Sequence, residues 1–581
     1  MAGALTKALG LTAGQAQFPY SRGEGVQLWY GDALSASAAD LSRIRGIVHI
    51  DWAAKGSPGG LKLIHAIYTE NSRPVFPDIL YAHPLEEASV FTGTPEKAFP
   101  GLADKSAHPF FTAFSAEYSP DRLAVLRLVP DPALPLEQQA ETLCQQYASL
   151  LRDFLARFRA HCAVMAPPLP ELSPILEEIE EKLPLTVSQR RLVQQALENA
   201  WVYYGVRPDP ARLPVPKGSA KRDAAAALKQ LLSDLAENKN CIPKGPDPEP
   251  QVREPLSHFQ HVYVTEDAAA LPETKAILDR FPAAQPISLP HYKSLFNRPK
   301  QDVNRQSLHK NLILARAEDP VIYQGSDYCN AFGFSAFYYC STVLGCLYDC
   351  DYCYLKGLYP TANITAFVNM QDFFRKIEAL YTGKPMLICC SYDSDILALD
   401  GLLNTVGQWL SFARAHPGIT FELRTKAANT APFGLLPSPP ENVILAFSLC
   451  PHSAWERYEH QTPSPSARIR AAKALSRAGW RVRLCFEPVL SDCTPEEYSA
   501  LVQEAFGEKD RYEDVVLSAF RMNQTYFKRL RQLRPRCRLL FDPHILPKGS
   551  GAEDLSAGEL ICQITRDIRK FSDIPMTVFS K

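Results

Sequence analysis

The sequence predicts an α/β chain with a partial β/α barrel at the C-terminus, preceded by a separate α/β domain and a helical segment. Three observations carry this. From about His258 to the end, short apolar strands alternate with amphipathic helical stretches, the pattern of a parallel sheet with crossover helices. Residues 1–165 hold strands of their own, followed by a long amphipathic helix. Proline-rich stretches break the chain between the two, the clearest being Cys241-Ile-Pro-Lys-Gly-Pro-Asp-Pro-Glu-Pro250, which is extended and unable to pack a core.

In the first domain, Gly46–Trp52, Leu61–Tyr68 and Arg122–Val129 read as strands. Leu143, Tyr147, Leu150, Leu151, Phe154, Leu155 and Phe158 recur at helical spacing after them. His49, Asp51 and Trp52 can form a site, but polar residues alternating along a strand more often mark its solvent face. Met165–Pro170 ends the domain. Residues 171–238 read as three helices, among them Ser188–Tyr204 and Ala220–Leu235, with Arg207–Pro216 between these two. The division expected is therefore 1–165, a helical segment 166–239, a linker 240–256, and a last domain 257–581. That domain carries the strands Met386–Cys390, Thr420–Arg424, Val443–Ser448, Arg481–Phe486 and Asp514–Phe520. Helices Met370–Tyr381, Ser466–Arg477 and Pro495–Phe506 lie between strands.

A chain of 581 residues is too long for one ordinary core, so two to four domains are expected. With 46% hydrophobic and 22% charged residues it is an ordinary globular chain. A formal net charge of −1 excludes a global polycation and leaves only a local basic face for nucleic acid. The N-terminus shows no signal-peptide pattern, and no apolar run reaches the ~18 residues of a membrane span. Fifteen cysteines, an odd number without a secretory signal, point to reduced thiols in a cytoplasm.

The most direct chemical signal is Gly345-Cys-Leu-Tyr-Asp-Cys-Asp-Tyr-Cys-Tyr354, which places Cys346, Cys350 and Cys353 in a C-x3-C-x2-C triplet. Three thiolates this close can hold three irons of a [4Fe–4S] cluster and leave the fourth iron open, as a catalytic metal site requires. The loop follows the strand Ala336–Val343, at the end where barrel enzymes place their chemistry. A zinc site is the competing reading. It needs four ligands, and Cys340 or Cys329 would have to complete it.

The triplet, with an aromatic before and after its last cysteine, resembles the signature of radical S-adenosylmethionine (SAM) enzymes. In that family the open iron binds the amino and carboxylate groups of SAM, which is then cleaved to a 5′-deoxyadenosyl radical. The C-terminal ~320 residues resemble one branch, the spore photoproduct lyase family, which repairs a thymine lesion in DNA on a partial β/α barrel. The likeness rests on Cys350-Asp-Tyr-Cys-Tyr-Leu355, Ser394-Asp-Ile-Leu-Ala-Leu-Asp400, Arg424-Thr-Lys426, Phe447-Ser448 and Ser518-Ala-Phe-Arg521, in the family's order. By this resemblance Ser394, Asp395, Lys426 and Ser448 bind SAM: Lys426 as a point charge for its carboxylate, the others through hydrogen bonds. Ser394 and Asp395 taken alone read as helix caps. The resemblance also implies a flavodoxin- or ferredoxin-type electron donor and a DNA partner.

In the family a cysteine and neighbouring tyrosines return a hydrogen to the thymine radical. Tyr352 and Tyr354 match those tyrosines. The cysteine does not match, because an ungapped alignment on Ser394 puts Tyr392 in its place and Cys390 lies two residues earlier. On a regular strand these two would share a face roughly 6–7 Å apart. Cys390 donates, Tyr392 replaces it, or neither acts. The run Arg521, Lys528, Arg529, Arg531, Arg534, Arg536 and Arg538 can track phosphates or can be a solvated helix face. The region matching the family's lesion-probing hairpin, Pro543–Asp554, keeps only His544 and Lys548 as basic residues. Two alternatives to lesion repair follow: a divergent radical SAM enzyme for another, nucleotide-like substrate, and a metal-stabilised DNA-binding protein without radical chemistry.

Overall fold

The computed structural model describes residues 171–216, 221–244, 261–281, 286–325, 331–436, 438–508 and 511–579 and, before residue 170, chiefly the strands and helices between residues 12 and 163. The chain divides into two compact units, one of residues 1–166 with 293–306, the other of residues 167–292 with 307–581.

The first unit contains a five-stranded sheet in the order Ile47–Trp52, Leu123–Leu128, Leu61–Thr69, Glu86–Thr92, Leu102–Asp104. All pairs are parallel except Leu61–Thr69 with Leu123–Leu128. Leu61, Leu63, Leu126 and Leu128 pack with Leu151 and Phe154 of the following helix, which is the apolar stripe meeting one sheet face. That helix is drawn as Leu136–Gln146 and Ala148–Ala163, but the bonds Tyr147 N to Leu143 O and Leu151 N to Tyr147 O carry it across the break. The side chains of His49, Asp51 and Trp52 lie outside the described residues.

The second unit begins with helices Leu172–Lys182, Val187–Asn199 and Lys221–Ala236. Thr186 and Gln189 form a reciprocal capping box at the start of the second. The proline-rich stretch is not wholly free: Cys241–Pro243 pairs antiparallel with Val206–Pro208.

The main sheet has eight strands: β1 (Ile322–Gln324), β2 (Ala336–Cys340), β3 (Met386–Cys389), β4 (Ile419–Thr425), β5 (Val443–Ser448), β6 (Arg481–Val489), β7 (Asp514–Ala519) and β8 (Met576–Phe579). They neighbour one another in that order, β1 antiparallel to β2 and the rest parallel. The sheet runs from β1 to β8 without closing, as a partial barrel does. Helices α1 (Met370–Leu380), α2 (Val406–Ala415), α3 (Pro465–Arg477), α4 (Pro495–Phe506), α5 (Gln524–Leu533) and α6 (Ala557–Arg569) account for most of the crossovers. Among the described residues no helix is long and apolar enough to cross a membrane. A second sheet, which the sequence reading did not separate, has the order Ile287–Leu289, Val262–Thr265, Leu312–Ala315, Ile364–Phe367, Val343–Leu344. Its last strand leads directly into the cysteine loop.

The period of two along each strand sorts the side chains. Ile388, Phe421, Leu423, Leu445, Phe447, Leu484 and Leu517 join the large helix-facing core. The opposite, inner face carries a buried charge layer. Arg483 of β6 pairs with Asp514 of β7 at 2.5 Å and with Glu422 of β4. Arg424 pairs with Glu422 at 3.1 Å and with Glu487. Arg483 reaches Glu422 across β5, where Ala446, the residue beside Arg483, is too small to obstruct it. Buried charges of this kind are tolerated because each has partners, and removing one leaves the others uncompensated. Arg483→Met is expected to destabilise the second unit by about 3–5 kcal/mol, read as a lower denaturant midpoint for loss of helical circular dichroism.

Candidate active site

The cysteine loop is shaped first by Gly345. Its φ is +83°, and a Cβ there would meet Asn363 O at 2.8 Å, so only glycine lets the chain turn this close to the neighbouring strand. Asp349 and Cys350 then pair antiparallel with His460 and Glu459. The acidic side chains of the loop face inward to partners. Asp349 receives Lys356 and Arg534, the latter at 2.7 Å, while Asp351 lies 3.0 Å from Arg534 and 2.9 Å from His460.

Cys346, Cys350 and Cys353 are close enough to feel one another's charge. Burial, reinforced by Asp395 and Cys353, pushes the Cys346 thiol up to about 11, and burial raises Cys350 further. Among the described residues no three His, Cys, Asp or Glu side chains converge on a single ion. Cys340, the described candidate for a fourth zinc ligand, points away: its thiol is fully buried and directed at the Cys389 carbonyl. Cys329 lies outside the described residues.

The residues expected to bind SAM sit at the C-terminal ends of β3, β4 and β5, the same rim as the cysteine loop. Ser394 is buried, and its Oγ has no hydrogen-bond partner in the protein, which leaves a hydroxyl for a ligand. Asp395 is occupied. It accepts from Thr425 Oγ1 at 2.8 Å, Lys426 N at 2.6 Å and Ala398 N at 3.1 Å, so it ties the ends of two strands together. Ser448 ends β5 beside Cys485, and its carbonyl accepts from Arg468.

Lys426 meets a residue that sequence reasoning missed. Its Nζ lies 3.5 Å from Glu459 and 5.6 Å from the centre of the Tyr352 ring. Glu459 is buried and also accepts from Arg468 and from the Tyr352 hydroxyl. Burial alone would raise its carboxyl, but Arg468 and Lys426 outweigh burial and hold its pKa at about 2. Burial would likewise lower Lys426, yet Glu459 and Cys350 keep it above the usual lysine range. Tyr352 is thus bound into a charge network beside the cysteines. A buried acid between two basic partners was not readable from Tyr458-Glu-His460, because Arg468 and Lys426 come from different elements.

Tyr354 and Tyr392 belong to a second group. Tyr354 OH donates to the Tyr392 carbonyl at 2.6 Å, and the two rings lie 6.0 Å apart. Tyr392 stacks on Tyr339 at 4.1 Å, and Tyr339 on Tyr323 at 5.3 Å. Tyr339 belongs to the inner face of β2, since Ala336, Tyr338 and Cys340 pack on the other side. Asp393, also overlooked in the sequence, lies within 3.5 Å of the Tyr354 hydroxyl and accepts from Ser341. Cys390 is elsewhere. It is fully buried with Ile388 in the helix-facing core, on the opposite side of the sheet from Tyr392. The shared face expected for the pair is lost because β3 ends at Cys389 and the chain leaves strand geometry before Tyr392.

Several members of the basic run have partners within the protein, although Lys528, Arg536 and Arg538 are exposed. Arg531 bonds Asn199 at 2.6 Å, Arg534 holds Asp349, Arg536 pairs with Glu171 at 2.8 Å, and Arg538 lies over Tyr203. Arg521 lies over the Phe579 ring at 3.3 Å. These contacts also dock the helical segment 171–204 onto the barrel. The strands Ile545–Lys548 and Gly551–Asp554 do form a hairpin. Its basic residues are paired, Lys548 with Glu553 and His544 with Asp542, each at 2.9 Å.

Residues 260–537 match the family model described as spore photoproduct lyase. The C-terminal part of this chain is a spore photoproduct lyase-like domain. The match contains the cysteine triplet, Tyr392, Ser394, Lys426, Ser448 and Glu459, and stops before the hairpin. No curated protein matches the chain. Solved spore photoproduct lyases are similar to it: a cysteine-to-serine mutant at 18% identity and TM-score 0.49, over 56% of this chain and 100% of that one. A double mutant with bound AdoMet and dinucleoside spore photoproduct is 20% identical with TM-score 0.47, over 56% and 99%.

The residues present suit the two groups the motif implies, with three thiols on one loop and an unpartnered buried hydroxyl on the adjoining rim. Glu459→Gln is expected to destabilise the second unit by about 3–5 kcal/mol, because Arg468 and Lys426 then lack their shared counter-charge. Chemical denaturation of the purified protein would measure it.

Proposed function

We propose that the C-terminal domain is a radical SAM enzyme of the spore photoproduct lyase type, acting on thymine-derived lesions in DNA. The observation that carries this reading is the loop holding Cys346, Cys350 and Cys353 on the same rim as the unpartnered Ser394 hydroxyl and the buried cation Lys426. When bound, a [4Fe–4S] cluster with SAM supplies a 5′-deoxyadenosyl radical that takes a hydrogen from the lesion. The cysteines hold three irons. Ser394 and Ser448 hydrogen-bond the methionine or ribose portion of SAM, and Lys426 faces its carboxylate with Glu459 fixing the ammonium from the other side. Asp395 acts one step back, by joining the ends of β3 and β4. The electron comes from a flavodoxin- or ferredoxin-type donor.

Hydrogen return falls to Tyr392 rather than Cys390. A thiol buried among Ile388 and the helix layer cannot meet a substrate on the inner face. Tyr392 is half-buried and held by stacking on Tyr339, and its carbonyl is fixed by Tyr354. Its phenol O–H can give a hydrogen atom to the thymine radical, leaving a tyrosyl radical that Tyr354 adjoins.

The internal pairing of the basic run favours a second reading within the same chemistry, in which a small nucleotide substrate replaces duplex DNA. Arg531 of α5 bonds Asn199 and Arg534 after it holds Asp349, which leaves Lys528 as the exposed cation of that helix.

Anaerobically reconstituted protein, given SAM, a reductant and DNA carrying the spore photoproduct, is expected to restore thymine and release 5′-deoxyadenosine, both read by mass spectrometry. Cys346→Ala should abolish both products. Tyr392→Phe should still form 5′-deoxyadenosine while thymine restoration is lost, and Cys390→Ala should keep both. Restoration from a dinucleoside lesion but not from duplex would select the second reading. Zinc in place of four irons and sulfide would leave a metal-stabilised DNA-binding module instead.

A further inference from the structure

Lys310 stands just before the strand Leu312–Ala315 of the small sheet and is almost wholly buried. Its Nζ donates to three consecutive carbonyls of the cysteine loop: Cys346 at 2.7 Å, Leu347 at 2.6 Å and Tyr348 at 3.2 Å. A lysine ammonium has three donors and no acceptor, so these bonds match its whole capacity, and a neutral amine could not make all three. Burying an ammonium is costly unless it is satisfied. The backbone of the segment that starts at the first cysteine offsets part of that cost, and burial with the neighbouring Lys356 still lowers the ammonium to about 8, which leaves it charged at neutral pH.

The other buried cations near the loop differ in one respect. Lys356 and Arg534 pair with the carboxylate of Asp349, and Arg534 also with that of Asp351. The hydrogen-bond partners of Lys310 are neutral carbonyls. Its charge is therefore the one the loop does not cancel by direct pairing.

We propose that Lys310 is a positioning residue of the cluster site, fixing the Cys346–Tyr348 backbone and setting a buried positive charge beside the thiolates. The inference rests on the radical SAM reading above. A cluster held by thiolates gains one negative charge on reduction, and a desolvated cation beside it favours the reduced state. Lys310 thus raises the reduction potential and makes the electron easier to deliver. In the absence of this charge a donor would have to be stronger.

The test uses the full chain, reconstituted anaerobically as wild type, Lys310→Met and Lys310→Gln. Iron and sulfide per chain, the cluster's midpoint potential by spectroscopic redox titration without SAM, and far-ultraviolet circular dichroism are read in parallel. Both variants are expected to keep the helical signal, bind less iron, and shift the potential of the remaining cluster to more negative values. A folded variant with wild-type iron content and potential would overturn the inference, as would loss of the helical signal in both, which would make Lys310 a determinant of the fold alone. A wild-type protein that takes up no four-iron cluster would instead defeat the functional reading on which the inference stands.

Discussion

The candidate site is organised around one buried carboxylate. Glu459 shares its two oxygens among Arg468, Lys426 and the Tyr352 hydroxyl, and its backbone pairs with Cys350. The loop of cysteines, the end of β4 and helix α3 therefore meet at a single acid. An arrangement of this kind is unforgiving, because a buried charge without its partner costs more than the pair contributes. It also explains why Lys426 can be a fixed positive point at the rim. Glu459 holds the ammonium in place and keeps it protonated, whereas a lone buried lysine would tend to lose its proton.

A second constraint is the alternation of side chains along the parallel strands. Helices cover one face with apolar residues, so the inner face is left for charge, and the Glu422, Arg424, Arg483 and Asp514 layer fills it below the rim. The same alternation decides which side of the sheet each group near the end of β3 faces. Cys390 falls on the helix side, where burial pushes its thiol well above the usual range. Tyr392 reaches the inner face because the chain has already left the strand. A two-residue difference in sequence becomes a difference of face.

Much of this was legible in the sequence and some was not, for definable reasons. Strands β2 to β7 of the main sheet and the helices α1, α3 and α4 follow from apolar periodicity, which is local, whereas the short outer strands β1 and β8 were not read. The cysteine triplet and the rim positions Ser394, Lys426 and Ser448 were found through motifs whose residues lie close in sequence. Glu459, Asp393, Tyr339 and Lys310 were not found. Each has at least one partner 30 to 110 residues away, as Glu459 with Tyr352, Asp393 with Ser341, Tyr339 with Tyr392 or Lys310 with Cys346, and no local pattern marks such a pairing. The face of Cys390 was missed for a related reason, since strand ends are the least readable part of a strand.

The basic run around α5 shows the reverse case, a pattern that is visible in the sequence but points two ways. Seven cations in eighteen residues suggest a phosphate track when read as a list. In space four of them serve two neighbours: Arg534 neutralises the acids of the cysteine loop, while Arg531, Arg536 and Arg538 meet Asn199, Glu171 and Tyr203 of the helical segment. Arg534, committed to buried acids, releases no counterions from a nucleic acid and adds nothing to affinity for a phosphate backbone, whereas Lys528, Arg536 and Arg538 are exposed. The rim itself carries the stacked rings of Tyr323, Tyr339 and Tyr392 beside Tyr354. The distinction between the two groups of cations is one of partners: a cation facing a buried acid is part of the loop's own architecture, and an exposed one is a surface charge.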